Sequence, residues 1–433
     1  MIKNKVVKNA SWIIGCKILQ AVFALVVSML TARYLGPSNF GIINYAASIA
    51  AFFLPIAQLG INNVLVQEFV NNPEEEGKTL GTSLLFTCFS ALASMVGVVS
   101  FAFVANYNEP TTIIVCALYS VMLIFQVLEL TQYWFQAKYL SKYTSIISLA
   151  AYVVISAYKI FLLVTEKSIY WFAISNALDY MLIAVSMLVM YKKLGGRKLS
   201  FSLDKFKYLF SKSKHYIVTG LMITIFAQTD KIMIKLMLPN GDAETGLYSA
   251  AFYCANITTF VFAAIIDSMR PFIFESLKKS VQKFEDSMKT LFGIIIGLAF
   301  LQSIAMALFS GLIIYILYGA DYMEAAPMLA LVVWYTPFSY VGSVRNIWVL
   351  AENKQKYLWI LNLSGALMNI VLNLIFIPIL GGLGAALASL ITQLFTNVIM
   401  VIIIKPLRRS AYLMLKSLNF VQLVKGLKNR NKE

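Results

Sequence analysis

Twelve apolar runs, separated by short polar connections, set the rhythm of this chain: near 10–32, 40–66, 79–104, 111–137, 143–165, 169–191, 213–237, 245–269, 289–317, 325–350, 357–378 and 383–404. Each is about the 20 residues a helix needs to cross the hydrocarbon of a bilayer. In lipid a helix satisfies its own backbone polar groups, so runs of this kind predict helices rather than isolated strands. The expected fold is therefore an all-α membrane protein of twelve transmembrane helices. The longest polar connection, 191–214, falls between runs six and seven. It divides the chain into an N-terminal six-helix lobe over 1–191, a basic linker over 192–214, a C-terminal six-helix lobe over 215–404 and a basic tail over 405–433. A faint internal echo agrees with two similar halves. Gly41, Tyr45 and Ala46 recur as Gly246, Ala250 and Ala251 at a constant offset of 205, with the glycine and one alanine identical. Internal duplication is a common plan among transporters.

Composition sharpens this picture. The 433 residues are 60% hydrophobic and 13% charged, with mean hydropathy +0.76, which excludes an ordinary soluble domain. The net charge of +16 would suit a nucleic-acid binder, but the basic residues lie in the connections and tails rather than on one surface. With the N-terminus placed in the cytoplasm, 29 Lys and Arg fall in inner segments and only Arg33 and Lys167 in outer ones. That bias orients the chain with both termini cytoplasmic. The acidic run Glu74-Glu75-Glu76 departs from the character of the inner segments, though carboxylates count little in the rule. Lys3, Lys5 and Lys8 before the first run imitate a secretion signal, and Ile13-Ile14-Gly15-Cys16 a lipoprotein cleavage box. The apolar stretch before Cys16 is too short for a signal core, and the run continues to Leu30, so an uncleaved first helix is expected. Cys16, Cys88, Cys116 and Cys254 all sit within apolar runs and read as packing residues.

In the linker, Phe201, Leu203, Phe206, Leu209 and Phe210 alternate with lysines, and the tail has the same flavour. Both suit amphipathic segments lying on an anionic membrane surface; docking to a partner is the other reading.

Charges inside the runs are the sites to explain, because they are costly in lipid. They are Lys17, Glu129, Lys159, Asp179, Asp230, Lys231, Lys235, Asp267 and Arg345. Asp267 and Arg270 share a helix face and can pair, whether for structure or for function. Lys235 is near a helix end and can either snorkel or meet substrate. Thr224, Gln228, Lys231 and Lys235 follow one face of run seven, Lys17, Gln20, Ala24 and Thr31 one face of run one, and Gln126, Glu129, Tyr133 and Gln136 one face of run four. Such stripes predict either a shared wet interior or hydrogen bonds between helices. Lys17, Lys231, Lys235, Arg270 and Arg345 are the candidate cations for an anionic substrate. Asp179, Glu129, Asp230 and Asp267 are candidate coupling carboxylates, and Gln20, Gln126, Thr224 and Gln228 candidate polar lining. A single histidine, His215, and the lack of a phosphate loop or nucleophile elbow point away from an enzyme and from any cofactor or metal.

Three motifs in register carry a family resemblance. Arg33-Tyr34-Leu35-Gly36-Pro37-Ser38-Asn39-Phe40-Gly41 resembles the signature that follows the first helix of bacterial polysaccharide-export proteins. Thr229-Asp230-Lys231-Ile232-Met233-Ile234, followed by Gly246-Leu247-Tyr248-Ser249-Ala250-Ala251, resembles their signature in helices seven and eight. Asn369 to Asn373, Ile377-Pro378 and Gly381-Gly382-Leu383-Gly384-Ala385-Ala386 resemble that of the last two helices. The chain is similar to the Wzx-type oligosaccharide flippases of the multidrug/oligosaccharidyl-lipid/polysaccharide exporter superfamily.

The resemblance implies two six-helix lobes around a central cavity that opens alternately to either side of the bacterial cytoplasmic membrane. It implies a substrate of oligosaccharide repeat units on undecaprenyl pyrophosphate, flipped for O-antigen or capsule assembly. Of the candidate residues only Asp230 and Lys231 fall within a motif; the others rest on burial alone. Membrane lipids and glycan polymerase or assembly proteins are the expected partners, nucleic acid is not, and a monomer suffices to form the path. Ion-gradient coupling through the buried carboxylates is expected. A cation-coupled multidrug antiporter of the same superfamily is the alternative, which would need an acidic rather than basic cavity.

Overall fold

A computed structural model describes the backbone of residues 2–418 and the side chains of residues 19, 20 and 23–418. All regular structure among these residues is helical. The helices are α1 (Ile2–Ala57), α2 (Leu65–Asn71), α3 (Glu76–Ala105), α4 (Pro110–Ala137), α5 (Ser141–Val164), α6 (Ile169–Lys193), α7 (Leu203–Met237), α8 (Gly241–Asn256), α9 (Thr259–Lys279), α10 (Val281–Leu308), α11 (Ser310–Tyr318), α12 (Ala325–Ala351), α13 (Gln355–Leu380), α14 (Gly382–Ile403) and α15 (Arg408–Ser417).

Eleven helical stretches among the described residues are long and apolar enough to cross a membrane, where the sequence pattern predicts twelve. The difference lies in α1, which carries the first two apolar runs as one element. Gly36 interrupts it with a left-handed φ of 69° and an extended ψ of 171°, and Pro37 follows. A residue without a Cβ accepts that conformation, and proline removes the next donor, so the helix breaks there without a polar loop. The 241–279 stretch counts as one span although it is broken between Asn256 and Thr259. Large apolar side chains such as Val104, Val164 and Leu308 stand more than 70% exposed, as surfaces do when hydrocarbon is to cover them. The protein is a multi-pass membrane protein.

By packing the chain forms two units, Met1–Leu236 with Asn240–Gly246, and Met237–Pro239 with Leu247–Glu433. In the first, α1 packs along α3, α4 and α5, and α5 along α6. Tyr45, Ile49, Val115, Leu123 and Phe172 fill one core; Phe69, Leu80, Trp134, Phe135 and Tyr191 fill another. In the second unit, α10 packs on α9, α12 and α15, and α14 on α12 and α13, around Phe284, Phe292, Ile295, Val344 and Trp348.

The basic linker packs on the first unit. From Leu203 it is the first part of α7, with Lys205, Leu209 and Ser213 buried. The acidic run Glu74-Glu75-Glu76 is the reason. Lys205 Nζ lies 2.7 Å from both Glu68 Oε1 and Glu75 Oε2, Arg197 Nη2 2.6 Å from Glu74 Oε2, and Lys138 Nζ 2.8 Å from Glu76 Oε2. The Ser200 N–H donates to the Gly77 carbonyl, and a Cβ on Gly77 would meet the Lys198 carbonyl oxygen at 2.4 Å. The basic linker is thus strapped to the start of α3 by charge and by close backbone contact. In the second unit, Arg409 of α15 grips Glu285 of α10 with two bonds, Nε to Oε1 at 2.5 Å and Nη2 to Oε2 at 2.6 Å. Opposite charge holds the guanidinium of Arg409 more firmly protonated than usual: the hydrogen bonds to Glu285 raise its pKa. The rest of the tail, 419–433, lies outside the described residues.

Candidate functional site

Three groups of polar residues stand within the apolar helices of the first unit. The first lies on α7 and reaches α1 at Ser48. Lys231 and Asp230 are buried at 6% and 5% exposure. The Lys231 ammonium donates to Gln228 Oε1 at 3.5 Å, and Ser48 Oγ of α1 donates to the same oxygen at 3.0 Å. The predicted face of α7 is therefore real between Gln228 and Lys231, and it continues across to Ser48, which the sequence pattern did not single out. Thr224 stays on its own helix, with Oγ1 donating to the Gly220 carbonyl at 3.0 Å. Beside this polar strip Ile49, Phe52, Phe53, Phe101, Thr229 and Ile232 line an apolar slot of about 310 Å³.

The second group joins α4, α5 and α6. Asp179 of α6 is within Coulombic reach of both Glu129 of α4 and Lys159 of α5. Lys159 Nζ lies 3.5 Å from Asn176 Oδ1, and Gln126 Nε2 lies 3.4 Å from the Tyr180 hydroxyl. Asp179 Oδ1 and Gln126 Oε1 are buried with no hydrogen-bond partner. Glu129 sits where α4 tightens into a single 3₁₀ turn, Glu129–Thr131. Two carboxylates and one ammonium from three helices, with acceptor capacity unused, form a site able to take a proton or a small cation.

The third group lies at the end of α7 and differs from the expected substrate cation. Lys235 Nζ sits 2.5 Å from Glu109 Oε2 and 2.6 Å from Asp242 Oδ1, with its side chain only 4% exposed. Glu109 in turn accepts from Thr112 Oγ1 at 2.8 Å. Burial pushes the Glu109 carboxyl up, but the hydrogen bonds from Lys235 and Thr112 and the charge of Lys235 outweigh it, leaving its pKa below the usual carboxylate range. With two carboxylates against one ammonium, Lys235 reads as the hub of a closed ion-pair network.

In the second unit Arg345 is buried at 7% exposure on α12. Its Nη1 donates to Asn397 Oδ1 at 2.9 Å and its Nη2 to Asn346 Oδ1 at 3.1 Å, while Nε has no partner. Asn397 belongs to a π-helical turn, Phe395–Ile399, and also donates to Gln393 Oε1 at 2.6 Å. The wider turn delivers Asn397 toward α12, where Gly342 leaves room for it. No spacing rule on the sequence would have announced this. Arg270 and Asp267 form the i,i+3 pair that their spacing allows, at 2.9 Å, and both are exposed. Gln20 is half-buried on α1, and Lys17 lies outside the residues whose side chains are described.

Long apolar helices holding charges at these sites define a helical membrane protein with polar groups buried among its spans. The chain belongs to the polysaccharide biosynthesis protein family, whose model matches residues 6–277. Its fold is similar to that of the lipid II flippase MurJ in an inward closed conformation, at 18% identity and TM-score 0.73, covering 94% of this chain and 90% of that one. It is also similar to an inward-facing multidrug resistance MATE family transporter of the MOP superfamily, at 13% identity and TM-score 0.67, covering 91% and 95%. A eukaryotic MATE transporter, AtDTX14, matches at 13% identity and TM-score 0.61, covering 94% and 99%. Among curated proteins no sequence matches the chain. At these identities the likeness establishes the fold.

Proposed function

We propose that the protein is a Wzx-type flippase. It moves oligosaccharide repeat units on undecaprenyl pyrophosphate from the inner to the outer leaflet of the bacterial cytoplasmic membrane, for O-antigen or capsule assembly. The observation that carries this reading is Lys231: a buried cation, bridged through Gln228 to Ser48, in a chain of the polysaccharide biosynthesis family. A pyrophosphate needs such a charge where water is scarce, because the attraction between opposite charges strengthens as the local dielectric falls. Arg345 is the second cation assigned to the path, and Lys17 a third. In this reading the break at Gly36 separates two of twelve spans, arranged in two six-helix lobes with both termini cytoplasmic. Alternating access is coupled to an ion gradient through Asp179 and Glu129, with Asp230 a further candidate. The protein acts as a monomer and catalyses no reaction.

The test is uptake of a labelled undecaprenyl-pyrophosphate oligosaccharide into inverted vesicles, wild type beside Lys231→Ala. Protein-dependent uptake that the substitution abolishes is the expected result. Uptake unaffected by the substitution would overturn the assignment of Lys231. Export of cationic dyes with no movement of lipid-linked sugar would transfer the protein to the multidrug antiporters, a reading that Glu129 and Asp179 leave open. Uptake that persists when proton and sodium gradients are both collapsed would remove the coupling role.

A further inference from the structure

A nine-residue pattern occurs twice in the chain, once in each unit. Lys205-Phe206-Lys207-Tyr208-Leu209-Phe210-Ser211-Lys212-Ser213 opens α7, and Arg409-Ser410-Ala411-Tyr412-Leu413-Met414-Leu415-Lys416-Ser417 makes up most of α15. At an offset of 204 residues, a cation, Tyr, Leu, Lys and Ser recur at the same spacing. The two copies also behave alike. The first cation is committed to carboxylates of its own unit: Lys205 to Glu68 and Glu75, Arg409 to Glu285. The leucines and the closing serines are buried, at 0% for Leu209, Ser213 and Leu413 and 1% for Ser417. This half of each pattern is structural.

The other half faces outward. Tyr208 and Tyr412 are 42% and 41% exposed. Lys212 Nζ lies over the Tyr208 ring at 4.2 Å from its centroid and also donates to the Tyr208 hydroxyl. Lys416 Nζ lies over the Tyr412 ring at 4.6 Å. An ammonium held against an aromatic face is attracted by its quadrupole and favours that position. Neither lysine has a carboxylate within ion-pair distance among the described residues. In the same stretches of chain Phe201 and Leu203 are 65% and 52% exposed, and Leu415 and Leu418 are 49% and 47% exposed. Cation, phenol hydroxyl and bare apolar side chains together suit one occupant: a molecule with an anionic head and hydrocarbon chains. Each copy stands next to a candidate membrane span, α7 itself or α14, where such molecules are.

We infer that the Tyr208–Lys212 and Tyr412–Lys416 pairs are matched sites for the phosphate of an anionic phospholipid, one on each half of the chain. The ammonium and the tyrosine hydroxyl bind the phosphodiester oxygens, and the acyl chains cover the neighbouring apolar residues. The ion pairs beneath hold each site on its unit. The sites are independent of the transported substrate, so this inference and the proposed function fail separately.

The experiment is native mass spectrometry of the full chain, released from detergent after equilibration with an equimolar mixture of phosphatidylglycerol and phosphatidylcholine. The wild type is expected to keep two phosphatidylglycerol molecules at collision energies that strip phosphatidylcholine. Lys212→Glu and Lys416→Glu should each keep one, and the double variant none. Lys212→Arg, which preserves charge and ring contact, should keep both and shows that loss does not follow from any change at the position. Two lipids retained by the double variant, or equal retention of phosphatidylcholine by the wild type, would overturn the inference. Displacement of the lipids by millimolar inorganic phosphate would also overturn it, by showing an anion site without lipid preference.

Discussion

Gly41 and Gly246 cross backbone against backbone: a Cβ on Gly41 would lie 1.8 Å from the carbonyl oxygen of Asp242, and a Cβ on Gly246 2.0 Å from that of Pro37. The two glycines are 205 residues apart, and so are Pro37 and Asp242. Each glycine therefore meets the carbonyl four residues before its counterpart, the reciprocal contact that a local two-fold produces. The faint echo in the sequence falls at this backbone contact. Backbone cannot yield as a side chain can, so Gly41→Ala and Gly246→Ala should each cost at least the ~1–3 kcal/mol of core overpacking. Gly311→Ala is the control, since its Cβ would meet only the methyl end of Met323 at 3.9 Å, and should stay within ~0.5 kcal/mol. Thermal unfolding in detergent distinguishes them.

Lys205 carries more of the first unit's stability than its place in a basic linker suggests. It is 8% exposed and Glu68 beneath it is 4% exposed. Lys205→Met leaves a buried carboxylate without its partner, which should cost about 3–5 kcal/mol. Adding Glu68→Gln should restore part of the loss by removing the stranded charge. Arg197→Ala, which breaks the pair with Glu74 where the side chains are 51% and 81% exposed, should change stability by less than about 1 kcal/mol. If all three variants unfold at the wild-type temperature, the strap is ornamental.

Much of the fold was legible in the hydrophobic pattern, because apolar runs of membrane length have only one way to satisfy their backbones. Asp267 and Arg270 were legible too: three residues apart on one helix, they meet as spacing requires. The long-range partners were not. Glu68 and Lys205 are separated by 137 residues and Glu109 and Lys235 by 126, and nothing along the chain ties one to the other. Glu74-Glu75-Glu76 looked anomalous in an inner connection. Its anomaly was the available signal, since an acidic run beside a basic linker is what a charge strap needs. Asn397 gave no signal at all, because a π turn depends on where the backbone is drawn by its neighbours.

The Lys235 hub makes a pH prediction. The carboxyl of Glu109 titrates below its ordinary value in the folded protein, so the interaction contributes stability above the unfolded carboxylate pKa of about 4.3 and loses it as pH falls through the lowered folded value. Wild-type unfolding temperature should therefore drop as pH falls from about 5 toward 3, while Glu109→Gln should lose that component of the slope. The Glu109 side chain is 44% exposed, so solvent screening keeps the effect small. An identical pH profile for the two proteins would remove Glu109 from the hub's energetics.

Arg345 separates a structural from a transport role in a single substitution. A Cβ on Gly342 would lie 2.4 Å from Asn397 Oδ1, the atom that accepts from Arg345 Nη1 at 2.9 Å. Gly342→Ala should displace Asn397 and leave a buried guanidinium short of an acceptor, at a cost of about 1–3 kcal/mol. Asn397→Asp does the reverse: it sets a carboxylate against the buried cation, and Gln393 can turn its amide to donate in place of the lost Nδ2 bond. Should Arg345 serve only to join α12 to α14, Asn397→Asp will be at least as stable as wild type and will transport normally. Should Arg345 meet the anionic substrate as proposed, the new carboxylate will neutralise it, and uptake of the lipid-linked oligosaccharide will fall at least tenfold in a protein that is no less stable. Measuring melting temperature and vesicle uptake on the same preparation decides between the two, because only a role in the path loses transport while keeping the fold.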